Sequence, residues 1–168
     1  ICACLVGSEM CIRDRYSICL LFSRAAACRG RVSAMRIALI AHDSRKELMA
    51  QFCTAYVRIL SENDLVATGV TGKIVHDATG LPVRTLYPGG RGGAEQIAAM
   101  IGCGEVDMLL FFRDPVGAKP GEPNDMTLLR LCDMHTIPVA TNIATAEVLI
   151  HGLERGDLAW IELQRGRK

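Results

Sequence analysis

The chain has 168 residues, half of them hydrophobic, and a formal net charge of +1. That length supports one soluble domain with a real core. The near-neutral charge offers no bulk field for nucleic acid or a membrane surface, and no apolar run approaches the roughly 20 residues of a spanning helix. Of the eight cysteines, Cys2, Cys4, Cys11, Cys19 and Cys28 crowd the amino terminus. Cys53, Cys103 and Cys132 lie among apolar neighbours in helical patterns and read as buried, reduced thiols. Cys2-x-Cys4 has no partner pair and no nearby His, which argues against a metal site.

Residues 1–34 show no clean period. Ser17–Ser23 with Ala25–Cys28 has the outline of a weak signal core behind Arg13, Asp14 and Arg15. Against that, Val6–Arg15 resembles translated sequencing-adapter sequence. The segment is therefore expected to be a spurious extension outside the domain, with Met35 opening a single domain over 35–168. Lys and Arg then number 14 against 16 Asp and Glu, a net charge of −2, which weakens a nucleic-acid reading further.

From Arg36 to His42 an apolar run without polar alternation predicts a strand covered on both faces. Ser44-x-x-Glu47 has the capping-box pattern and opens a helix with Leu48, Phe52, Tyr56 and Ile59 on one face, ended by Ser61-Glu62-Asn63. Leu65–Ala67 is a short strand, and Thr68-Gly69-Val70-Thr71-Gly72 leads into a helix over about 72–79, closed by Gly80. Val83–Tyr87 is a third strand. The glycine-rich turn Pro88–Gly93 precedes a helix over Ala94–Cys103. Val106–Phe112 is the most apolar strand, placed centrally, and a loop from Val116 to Pro123 leads to a helix around Asp125–His135. Ile137–Ala140 is a fifth strand, Ala144–Ile150 a helix, and Leu158–Leu163 a candidate last strand. Strands alternating with helices predict a parallel sheet with right-handed crossovers and helices on both faces.

Ligands of open α/β sheets bind outside the carboxyl ends of the strands, against helix N-termini. At those ends this chain carries, in order, His42-Asp43-x-x-Lys46, Thr68-Gly69-Val70-Thr71-Gly72, the turn 88–93, Asp114, and Thr141-Asn142. Short glycine turns present N–H groups to an anion, Thr hydroxyls add donors, and Lys46 supplies a point charge suited to phosphate. Singly, each is more often a turn, a cap or a structural histidine. Together on one sheet edge they point to a small anionic substrate.

In these pieces the chain resembles the methylglyoxal synthase family. They are Ile40-Ala41-His42-Asp43 with Lys46, Ala67-Thr68-Gly69-x-Thr71-Gly72, Ala78-Thr79-Gly80, Gly92-Gly93-x-x-Gln96, Val106-Asp107-x-Leu109-x-Phe111-Phe112-x-Asp114-Pro115, Leu128–Leu131, and Ile137–Asn142 with Ala144-Thr145-Ala146. The resemblance spans about Met35 to Ile150. It implies a single three-layer α/β domain with a mostly parallel five-stranded sheet, assembled as a cytoplasmic homohexamer. It implies conversion of dihydroxyacetone phosphate to methylglyoxal and phosphate, without metal or organic cofactor, so the expected partners are a small phosphorylated metabolite and inorganic phosphate. It assigns phosphate binding to Lys46, Thr68, Thr71 and Gly89, and keeps His42, Asp43 and Asp114 as the catalytic set.

The chain departs from the family pattern at several of its working positions. Val70 and Pro88 each remove a hydroxyl donor, and Pro88 also removes an N–H. Ala94 stands where the family has its base, an Asp directly after Gly-Gly. Gly121 and Asn124 replace the electrophilic His and a second Asp. Glu95 lies one position on, but one step rotates a helical side chain by roughly 100°, so it serves only if the turn shifts register. These changes imply impaired or altered turnover, or a binding domain that regulates without turnover, as related domains in carbamoyl phosphate synthetase do.

Overall fold

The computed structural model describes residues 34–117 and 125–161. Residues 1–33, on which the expectation of a spurious extension falls, lie outside them. Residues 34–151 form one compact unit that contains the whole sheet, and residues 152–161 belong to a second unit.

Strand β1 (Arg36–Ala41) is buried at every position after Arg36, as its unalternating sequence requires. β2 (Asp64–Ala67), β3 (Val83–Thr85), β4 (Met108–Phe112) and β5 (Val139–Ala140) complete a sheet of order β3-β2-β1-β4-β5 in which every neighbouring pair is parallel. The helices are α1 (Lys46–Ala55), α2 (Val57–Leu60), α3 (Gly69–Thr79), α4 (Gly93–Gly102), α5 (Asp125–His135) and α6 (Ile143–Arg155).

Side chains of successive strand residues point to opposite faces, and both faces are covered. On one, Phe52 of α1 meets Phe112 edge-on with ring centroids 5.6 Å apart. On the other, Ala38, Ile40, Leu109 and Phe111 pack with Ala94, Ile97 and Ile101 of α4 and Leu128 and Cys132 of α5. At the amino end of the sheet the buried carboxylate of Asp107 accepts the Arg36 N–H at 2.6 Å, and Asn63 Oδ1 accepts the Met35 N–H at 3.0 Å.

Several boundaries differ from the sequence pattern. The helix expected to run unbroken to Ser61 is interrupted at Tyr56, whose backbone (φ −109°, ψ 24°) leaves the helical region. α3 begins at Gly69, not near 72, because extended Thr68 already serves as its N-terminal boundary. The last strand expected over Leu158–Leu163 does not form. After Gly156, at φ +80°, Ala159 N–H bonds to Gly156 O at 3.2 Å and Ile161 N–H to Leu158 O at 3.0 Å, three-residue spacings that curl the chain instead of extending it. Glu162 and Leu163 lie outside the described residues. Cys53 and Cys132 are buried as expected, but Cys103 is exposed, because it sits at the C-cap of α4, past the buried face. Among the described residues no helix is long and apolar enough to cross a membrane.

Candidate active site

A strand order of 3-2-1-4-5 sends the chain from β1 outward to β3 and then back across to β4. The crevice at such a reversal opens between the carboxyl ends of the two central strands, here β1 and β4. His42 follows β1 and Asp114 lies just beyond β4, and backbone bonds join all five strand ends into one rim. Gly69 N–H bonds to Tyr87 O at 3.1 Å, Thr68 N–H to Leu39 O at 3.4 Å, His42 N–H to Phe112 O at 3.1 Å, and Arg113 N–H to Thr141 O at 3.2 Å.

His42 is buried, 1% exposed, with Phe111 edge-on at 5.3 Å. Its Nδ1 accepts the backbone N–H of Asp114 at 3.0 Å. An accepting Nδ1 carries no proton, so the neutral ring carries its hydrogen on Nε2. Asp114 in turn is held from three sides. Its Oδ2 accepts the Ser44 hydroxyl at 2.7 Å, and its Oδ1 accepts the N–H groups of Gly117 at 3.0 Å and Val116 at 3.2 Å. The Ser44 hydroxyl first, then those two amides, bring its carboxyl down to about 2. A carboxylate so satisfied is a weak proton acceptor at neutral pH. In this structure the carboxylate shapes the turn at Val116–Gly117, while the Asp114 backbone N–H orients His42.

Ser44 is thus not the helix cap that its spacing to Glu47 suggested. Asp43–Arg45 form a short 3-10 turn, α1 begins at Lys46, and no side chain caps it. The hydroxyl is engaged across the crevice with a partner 70 positions away, which no local pattern reveals. Lys46 pairs with Asp43 through its ammonium.

On the β2 side, Thr68 and Thr71 are both buried, and the Thr68 hydroxyl donates to that of Thr71 at 3.2 Å. They stand at the N-terminus of α3, where the positive end of the helix dipole favours an anion. Gly89 opens a 3-10 turn, Gly89–Arg91. The turn is locked at three points: Pro88 O accepts the N–H groups of Arg91 at 2.8 Å and Gly93 at 3.1 Å, and Gln96 Oε1 accepts the Tyr87 N–H at 2.9 Å. Gly92 sits at φ +94°, and a Cβ on Gly93 would lie 1.9 Å from Tyr87 O. Both glycines are therefore obligatory, and the Gly-Gly-x-x-Gln spacing is a turn device. Ala94 is buried within the apolar cluster, while Glu95 is exposed. The register of the turn has not shifted to bring Glu95 inward. Thr141-Asn142 contributes structure: Asn142 Oδ1 accepts the Thr145 N–H at 3.0 Å. Gly121 and Asn124 lie outside the described residues. A separate groove of about 860 Å³ runs along β2 and β3 past Arg36, Lys73 and Arg84, and none of the expected site residues lines it.

A family model described as "MGS-like domain" matches residues 49–141. The methylglyoxal synthase of Caldicellulosiruptor saccharolyticus is 57% identical over 129 residues, which cover 77% of this chain and 92% of that protein. The chain belongs to the methylglyoxal synthase family. The methylglyoxal synthase of Oceanobacillus iheyensis is 55% identical over 134 residues, 80% of this chain and 96% of that protein. A crystal structure of methylglyoxal synthase from Elizabethkingia anophelis superimposes with a TM-score of 0.69 at 32% identity, over 70% of this chain and 78% of that one. Ala94, the position at which the sequence motif led to the expectation of a missing base, is a core residue in this structure.

Proposed function

We propose that this protein is a methylglyoxal synthase-type carbon–oxygen lyase acting on dihydroxyacetone phosphate, with turnover at least about 10²-fold below that of a relative with the full catalytic set. The reaction balances without water or cofactor. A base removes a proton from the hydroxymethyl carbon, the resulting enediolate expels phosphate as the carbon–oxygen bond breaks, and the enol tautomerises to methylglyoxal. Lys46, the Thr68 and Thr71 pair at the α3 N-terminus, and the Gly89 turn are the phosphate-holding groups. His42, donating from Nε2, is suited to an oxygen that becomes negative in the enediolate. Asp43 is the carboxylate assigned to take the proton: in this structure it pairs with the Lys46 ammonium, which the substrate phosphate would draw away, whereas Asp114 is held by three donors of the protein itself. The single observation that carries this proposal is the rim itself, where these groups lie at adjoining strand ends of one sheet. Resemblance extends the proposal to a cytoplasmic homohexamer, which sedimentation would check.

A phosphometabolite-binding domain without turnover is the alternative, favoured by the burial of Ala94 in an apolar cluster with Glu95 turned outward. Two measurements on the purified protein separate them. Dihydroxyacetone phosphate yields methylglyoxal, slowly, if the lyase proposal holds. Protection against thermal unfolding by inorganic phosphate, with no product formed from dihydroxyacetone phosphate at any enzyme concentration, leaves the binding domain.

A further inference from the structure

Ser44 has no place in the family motifs, and its spacing to Glu47 disguises it as a cap. Yet its hydroxyl is the only side-chain donor among the three groups that hold Asp114. The other two come from the chain just beyond Asp114, so they travel with it. Among the described hydrogen bonds, that of Ser44 is the one that ties the Asp114 carboxylate to the opposite side of the crevice, across from β4 to the turn after β1, where Arg45 adds its charge. The backbone N–H of Asp114 is in turn the group that Nδ1 of His42 accepts. A loop closes as a result: β1 leads to His42 and Ser44, Ser44 grips the Asp114 side chain, and the Asp114 main chain grips His42.

We propose that Ser44 is a positioning residue, whose hydroxyl anchors Asp114 so that the Asp114 amide fixes the His42 ring with its proton on Nε2. A merely packed serine would do nothing of the kind, because Ser44 is exposed and its methylene covers no core. With the anchor gone, the Asp114 turn is free to pivot about its own amides. The N–H to Nδ1 bond then lengthens, and the ring samples both tautomers. The proposal rests on the strand-end crevice being the reacting site.

Nitrogen NMR of the full chain labelled in its four histidines tests it without needing turnover. In the unmodified protein His42 should show an unprotonated, accepting Nδ1 and a protonated Nε2. Ser44→Ala should move both resonances toward a mixed tautomer and raise the titration point of Asp114 toward the ordinary carboxylate range near 4. Ser44→Thr, which restores a hydroxyl, should return both. Unchanged His42 resonances in Ser44→Ala, or failure of Ser44→Thr to rescue them in a protein of normal melting temperature, overturn the proposal. A negative methylglyoxal assay leaves these resonances intact and counts only against the activity.

Discussion

Among the described residues, Asp114 carries a carboxyl shifted well below its ordinary range. Its folded carboxyl titrates at about 2, below the roughly 3.9 of an unfolded aspartate. A depressed folded value stabilises the native state above the unfolded value and loses that contribution as pH falls through the folded one. Asp114→Asn should therefore melt below the unmodified protein at neutral pH, and the gap should close between about pH 4 and pH 2. Melting curves across that range check it. Ala94 behaves differently. A carboxylate there enters an apolar cluster, where an unpaired polar group costs about 1–3 kcal/mol. Burial also pushes its pKa up, the direction that makes a better base. Ala94→Asp alone should lower the melting temperature and leave methylglyoxal formation nearly unchanged, because groups that act as a unit are not additive. Ala94→Asp with Gly121→His and Asn124→Asp should raise the rate by far more than the single changes. Equal rates for single and triple variants would remove Ala94 as the cause of the proposed slow turnover.

Among the elements, the turn between β3 and α4 is the least tolerant. Gly93→Ala forces a Cβ into Tyr87 O, and relief requires the backbone of the turn to move. The expected loss is about 2 kcal/mol or more, as when any special backbone position is strained. Gln96→Ala removes one bond to a backbone amide and should cost about 1 kcal/mol. Denaturant unfolding distinguishes the two, and the Gly93 variant should also lose protection by phosphate. This turn was readable in the sequence, since glycine pairs announce unusual backbone. So were the five parallel strands, because β1 and β4 are apolar without alternation and periodic helices separate the strands. Ser44 and Asp107 were not legible as what they are. Their partners lie 70 and 71 positions away, and a local pattern contains no trace of such a partner. The false last strand had the opposite origin: Leu158–Ile161 is apolar enough for a strand, but Gly156 turns the chain before one can pair.

On the scale of the whole molecule, the described cysteines divide by burial. Desolvation raises Cys53 to about 12 and Cys132 to about 11, so neither offers a thiolate at neutral pH. Alkylation of the native protein with subsequent peptide mapping should label Cys103 and spare Cys53 and Cys132 until the chain unfolds. Because both folded values lie above the usual thiol range, native stability should decline as pH rises past about 9.

The sheet order has a consequence in time as well as in space. β1 meets β2 across 28 positions of chain and β4 across 71. Loop-closure entropy favours the shorter closure by about 0.8 kcal/mol, and the partners of that closure leave the ribosome first. The strand ends from Thr68 to the Gly89 turn, proposed above as the phosphate-holding half of the rim, are thus expected to assemble before β4 arrives to complete the crevice at His42. A growing chain is then expected to form the proposed anion site early and the proposed reacting centre late. Pulsed hydrogen exchange during refolding would read this as protection of the β1–β2 amides ahead of those of β4, with phosphate accelerating the first phase.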